Sequence, residues 1–116
     1  MKKLIVLALL AVATSANAAD RATVERGQKN FREFGCWKCH GTVGQGSGSG
    51  LKLAPDVLPT DAIITFLRTT TGPMPRYGEQ VISDEQIKDI HAYLEAQPRP
   101  QSPDNIPALR NLRSAK

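Results

Sequence analysis

The chain holds 116 residues, 15 of them basic and 11 acidic, for a net charge of +4. So mild a charge does not suggest a nucleic-acid partner. The length allows one small domain, which its own side chains stabilise with difficulty, so a large apolar cofactor would help it fold.

The N-terminus reads as an export signal. Lys2 and Lys3 precede an apolar run from Leu4 to Ala13, followed by the small residues Thr14-Ser15-Ala16-Asn17-Ala18-Ala19. Ten apolar residues are too few to cross a bilayer, which takes about 20, and Ala16-Asn17-Ala18 has the small-x-small pattern of a peptidase site. The expectation is a signal peptide over 1–18, cut after Ala18, a periplasmic location, and no stable membrane insertion afterwards. Cleavage takes 18 of the 116 residues, leaving 98, and removes two of the 15 basic side chains, so 13 stand against 11 and the net charge falls to +2. The mature chain divides into a domain over 19–97 and a Pro-rich basic tail over 98–116.

A helix is predicted from Asp20 to Phe34, with Val24, Gly27, Phe31 and Phe34 on one face. Glycine within a helix costs roughly 1 kcal/mol relative to alanine, so Gly27 marks the close approach of another helix. The helix leads into Cys36-Trp37-Lys38-Cys39-His40, the C-x-x-C-H sequence of covalent haem attachment. On a helical turn, positions three apart project from one face, so both thiols reach the two vinyl groups on one edge of a porphyrin. His40 then falls beneath the iron, its second ring nitrogen donating to a fixed carbonyl.

Other readings of the two cysteines are weaker. A thioredoxin-like dithiol needs a preceding strand and a βαβ context, and the residues before Cys36 are helical in pattern. A structural zinc site needs four ligands, and the chain offers only Cys36, Cys39, His40 and the distant His91. A plain disulfide leaves the adjacent histidine without a purpose.

Five glycines and two serines between Gly41 and Gly50 predict a mobile connection. It lacks the strand, helix and lysine of a phosphate loop. Leu51 and Leu53 return the chain towards the haem, and a short helix follows Pro59, from Thr60 to Thr70, with Ile63, Ile64, Phe66 and Leu67 apolar.

Met74 is the only methionine beyond the initiator, and it lies in Gly72-Pro73-Met74-Pro75. Flanking prolines stiffen an extended loop, and a thioether on a rigid loop suits coordination better than core filling. Met74 is therefore the expected sixth ligand, opposite His40. A last helix runs from Ser83 to Gln97, opened by a capping box of Ser83 and Gln86. Asp84 and Glu85 suit its dipole, Ile87, Ile90 and Leu94 form its apolar face, and Tyr93 lies at the edge. His91 falls on that stripe as a packed or half-exposed residue. The tail carries Pro98, Pro100, Pro103 and Pro107 and is expected to be extended and solvated. The alternative for it is a short amphipathic turn carrying Leu109 and Leu112.

The ordered set of Gly27 and Phe31, the C-x-x-C-H turn, Gly72-Pro73-Met74-Pro75-Arg76-Tyr77 and Leu94 resembles the class I cytochrome c family, particularly its small periplasmic members. The resemblance covers about Asp20 to Gln97. It implies an all-α fold whose first and last helices cross beside one covalent haem c, with His40 and Met74 as axial ligands. Where the family commonly has a Gly-Pro pair before the haem-packing leucine, this chain has Gly50-Leu51-Lys52-Leu53, so the carbonyl for the His40 ring would come from Leu51. Arg68, Arg76 and Tyr77 are candidates for the haem propionates by their proximity to the methionine loop.

An iron closed by histidine and methionine has no open position, so the expected activity is exchange of one electron, with methionine raising the potential. The chain is read as an electron carrier and not an enzyme: a periplasmic shuttle, or the cytochrome subunit of a redox complex. Its partners would be a dehydrogenase, oxidase or reductase, met as a monomer or within a hetero-complex. They would dock at a small, transient face with Lys38 on its rim. The alternative is a haem enzyme or gas-binding protein in which Met74 leaves the iron open, giving a high-spin spectrum and rapid carbon monoxide binding.

Overall fold

The computed structural model describes residues 20–114, so the expected signal peptide lies outside them. The described residues form helices and turns, as the all-α expectation requires, with one isolated bridge between Ser47 and Gly50. Helix α1 covers residues 20–33, α2 Trp37–His40, α3 Thr60–Thr69, α4 Asp84–Glu95 and α5 Pro107–Ser114, with a 3-10 turn at Pro103–Asn105. Among the described residues no helix is long and apolar enough to cross a membrane.

Helix α4 begins as its sequence dictates. Ser83 has extended backbone, its Oγ accepts the Gln86 N–H at 3.2 Å, and Gln86 Oε1 accepts the Ser83 N–H at 2.9 Å. Two N–H groups that the helix itself leaves without partners are thereby satisfied. Ser83→Ala is expected to cost about 1 kcal/mol, seen as a lower denaturant midpoint; an unchanged midpoint would mean that the cap contributes nothing.

Ile87, Ile90, Tyr93 and Leu94 of α4 join Phe31, Ala54 and Ile82 in the core. Gly27 is what lets α1 reach it. A Cβ there would overlap the Asp89 carbonyl oxygen and lie 2.7 Å from Tyr93 Cβ. The crossing is sealed by the Phe31 and Tyr93 rings, 5.6 Å apart. Outside, Arg26 Nε and Nη2 donate to the two Asp89 carboxylate oxygens at 2.9 and 3.0 Å. Tyr93 lies inside the core and not at the helix edge, because its hydroxyl donates to the Thr42 carbonyl at 3.1 Å and so needs no water.

The glycine-rich segment departs from the mobile connection its composition predicts. The Gly46 N–H donates to His40 O at 2.8 Å, Ser47 Oγ to Cys39 O at 2.5 Å, and Gly44 O accepts from both Leu53 and Ala54. Carbonyls at the end of α2 are satisfied in this way, and the loop is folded back on the attachment turn. Gly44 is required twice over: its φ is +74°, and a Cβ there would meet Leu94 Cδ2 at 2.5 Å.

The tail is also more regular than expected. Ser102 Oγ caps the 3-10 turn by accepting the Asp104 N–H at 3.3 Å, and Pro107 opens α5, where a missing N–H costs nothing. Prolines here begin elements and do not interrupt them. Arg99 ties the start of the tail down, its two Nη groups reaching the Asp56 carboxylate at 2.6 and 3.0 Å.

Candidate functional site

The C-x-x-C-H segment is a helical turn of its own. The chain leaves α1 through Gly35, whose N–H donates to Arg32 O at 3.1 Å, and the His40 N–H then donates to Cys36 O at 3.0 Å. Cys36 and Cys39, three positions apart, share one side of this turn; Cys36 is half-buried and Cys39 is exposed. Burial pushes the Cys36 thiol up to about 11, against a smaller opposing effect of its own backbone hydrogen bond. Among the described residues, no group of three or more histidine, cysteine or acidic side chains could hold a metal ion.

His40 is buried, and its Nδ1 lies 2.8 Å from the Leu51 carbonyl. A carbonyl only accepts, so Nδ1 carries the proton and Nε2 presents a lone pair. Opposite that lone pair, at 3.5 Å, stands Met74 Sδ. Imidazole with thioether is one of the pairs that hold haem iron, and the fold brings these two side chains together from positions 34 residues apart. His91 is elsewhere: its Nε2 donates to Leu58 O at 3.1 Å, and its Nδ1 lies 3.3 Å from Glu95.

The Met74 loop is held by its far end. The Tyr77 N–H donates to Leu67 O and its hydroxyl to Phe34 O, both at 2.9 Å. Arg68 adds a third restraint, donating through Nη1 to Tyr77 O at 2.8 Å and through Nη2 to Ile82 O at 2.9 Å and Asp84 Oδ1 at 2.6 Å. Of the three propionate candidates, Tyr77 thus has its hydroxyl engaged and Arg76 turns Nε to Thr70 O at 3.2 Å. Arg68 Nε is buried without a protein acceptor. Such a donor is costly unless something accepts from it, and a haem carboxylate would do so. The donor pair, the paired cysteines and this orphaned N–H together fit a haem.

Tyr77 gives the site a pH signature. Burial raises its phenol above the ordinary value of 10.0. The unfolded chain therefore ionises first. The stability this contributes is complete below about pH 10 and is lost as pH climbs through the folded value. Tyr77→Phe is expected to flatten the alkaline fall in unfolding free energy, and equal slopes in both proteins would refute the assignment.

The family model described as cytochrome C oxidase, cbb3-type, subunit III matches residues 22–94. The chain belongs to this c-type cytochrome family. The cytochrome c subunit of the cytochrome bc1 complex from Corynebacterium diphtheriae is 35% identical over 80 residues, covering 66% of this chain and 28% of its own. The Mycobacterium tuberculosis protein of that name is 35% identical over 81 residues, covering 67% and 29%. That of Corynebacterium efficiens is 32% identical over 87 residues, covering 72% and 29%. The cytochrome spans less than a third of the length of these curated relatives. No solved structure matches it. As in other c-type cytochromes, its haem c is bound covalently, with Cys36 and Cys39 at the attachment spacing.

Proposed function

We propose that this cytochrome is an exported, periplasmic one-electron carrier whose haem iron takes His40 and Met74 as axial ligands. It works as a shuttle, or as the cytochrome subunit of a membrane redox complex, between a dehydrogenase or reductase and an oxidase. The observation that carries the reading is the convergence of the His40 ring and the Met74 thioether, Nε2 and Sδ lying 3.5 Å apart beside the attachment turn. A closed iron leaves electron exchange as its chemistry, and a thioether ligand favours the reduced form, raising the potential.

Support for membership of a complex comes from relatives named as subunits of the cytochrome bc1 complex. Support for export comes from Lys2, Lys3 and the apolar run that follows them. The test is the visible and near-infrared spectrum of protein matured in a periplasm, oxidised and reduced, before and after carbon monoxide. A low-spin spectrum with the weak methionine-to-iron band, slow to respond to carbon monoxide, is expected. A high-spin spectrum that shifts at once would overturn the carrier in favour of a gas-binding or catalytic haem.

A further inference from the structure

We propose that Arg68 is the positioning residue for Met74, closing the ligand loop onto α3 and keeping the thioether at the iron. The proposal rests on the His40 and Met74 reading. Its basis is the way one residue, Tyr77, is gripped by two neighbours on α3: Leu67 O takes its N–H at 2.9 Å, and Arg68 Nη1 gives to its carbonyl at 2.8 Å. The loop that carries Met74 leaves α3 at Thr70 and returns to α3 at Tyr77. Both ends are therefore fixed to the same rigid element, and the sulfur between them has little freedom.

Arginine suits this place. Its planar fork makes several bonds in a fixed geometry, and here one guanidinium spans Tyr77 O, Ile82 O and the Asp84 carboxylate. The Arg68 side chain is 16% exposed, so water competes poorly for the two carbonyls. Asp84 is 47% exposed and does not reach the loop itself. It orients the guanidinium from the α4 side. Losing Arg68 would free the Tyr77 and Ile82 carbonyls together and leave the return of the loop to the Tyr77 N–H and hydroxyl.

The test is an imidazole titration of the oxidised, haem-loaded wild type, Arg68→Met, Arg68→Lys and Asp84→Asn, followed by the methionine-to-iron band. Imidazole binds only when Met74 is off the iron, so its apparent affinity measures the open fraction. Lysine keeps the charge beside Asp84 but cannot hold two carbonyls at once. Both Arg68 variants are expected to bind imidazole roughly tenfold more tightly, the worth of one charge-assisted bond, while Asp84→Asn binds as the wild type does and loses only stability. Should Arg68→Met fail to fold, Arg68→Lys carries the test. Wild-type affinity in the Arg68 variants, or an equal gain in Asp84→Asn, would overturn the positioning role and leave the ligand pair standing. A wild-type spectrum without the band would overturn the ligand pair and the proposal with it.

Discussion

Met74→Ala is expected to open the iron: the oxidised protein loses its methionine-to-iron band, turns high-spin or takes water, and binds carbon monoxide about 100-fold more tightly when reduced. The magnitude follows from population arithmetic. A sulfur that holds the site closed by about 2.8 kcal/mol leaves roughly 1% of molecules competent, and removing it makes nearly all of them so. The fold is expected to survive, because Met74 is half-buried on its loop and lies outside the core of Phe31, Ile87 and Leu94. The potential falls as well, since the ligand that favoured the reduced iron is gone. A variant with an unchanged band and unchanged carbon monoxide binding would show that another group closes the iron.

The second large effect belongs to Gly27. Gly27→Val is expected to lower stability by about 3 kcal/mol, the upper range for overpacking, and the melting temperature by about 15 °C for a domain of this size. The clash is with backbone: a Cβ overlaps the Asp89 carbonyl oxygen, which no rotamer change can move. Relief requires α1 and α4 to part, and parting costs the contact of Phe31 with Tyr93 and the Arg26 pairing with Asp89. Gly48→Ala is the matched control, since nothing lies within 4 Å of a Cβ there. Equal melting temperatures for the two variants would refute the close crossing.

Much of this was legible in the sequence where the signal is local or periodic. The C-x-x-C-H turn, the Ser83 and Gln86 box and the apolar stripe of α4 are each specified within a few residues, and all are found where the spacing puts them. Gly27 was legible as a paradox, a helix breaker on an apolar face. The meeting of His40 with Met74, 34 positions apart, was approachable because the chain offers so few ligands. What escaped depends on where polar groups end up. Composition makes residues 41–50 look like a linker, yet their donors satisfy the carbonyls of Cys39 and His40. Prolines suggest an extended tail, yet Pro103 and Pro107 sit at the first positions of helical turns. The grip of Arg68 joins residues 9, 14 and 16 positions away, with no periodicity to announce it.

The bond from His40 to the Leu51 carbonyl bears on speed as well as on ligation. An electron moves readily when the nuclei around donor and acceptor are already placed for both charge states. The ring is pinned by a main-chain group, so the imidazole cannot swing as the iron changes charge, and the proton on Nδ1 has a fixed place in either state.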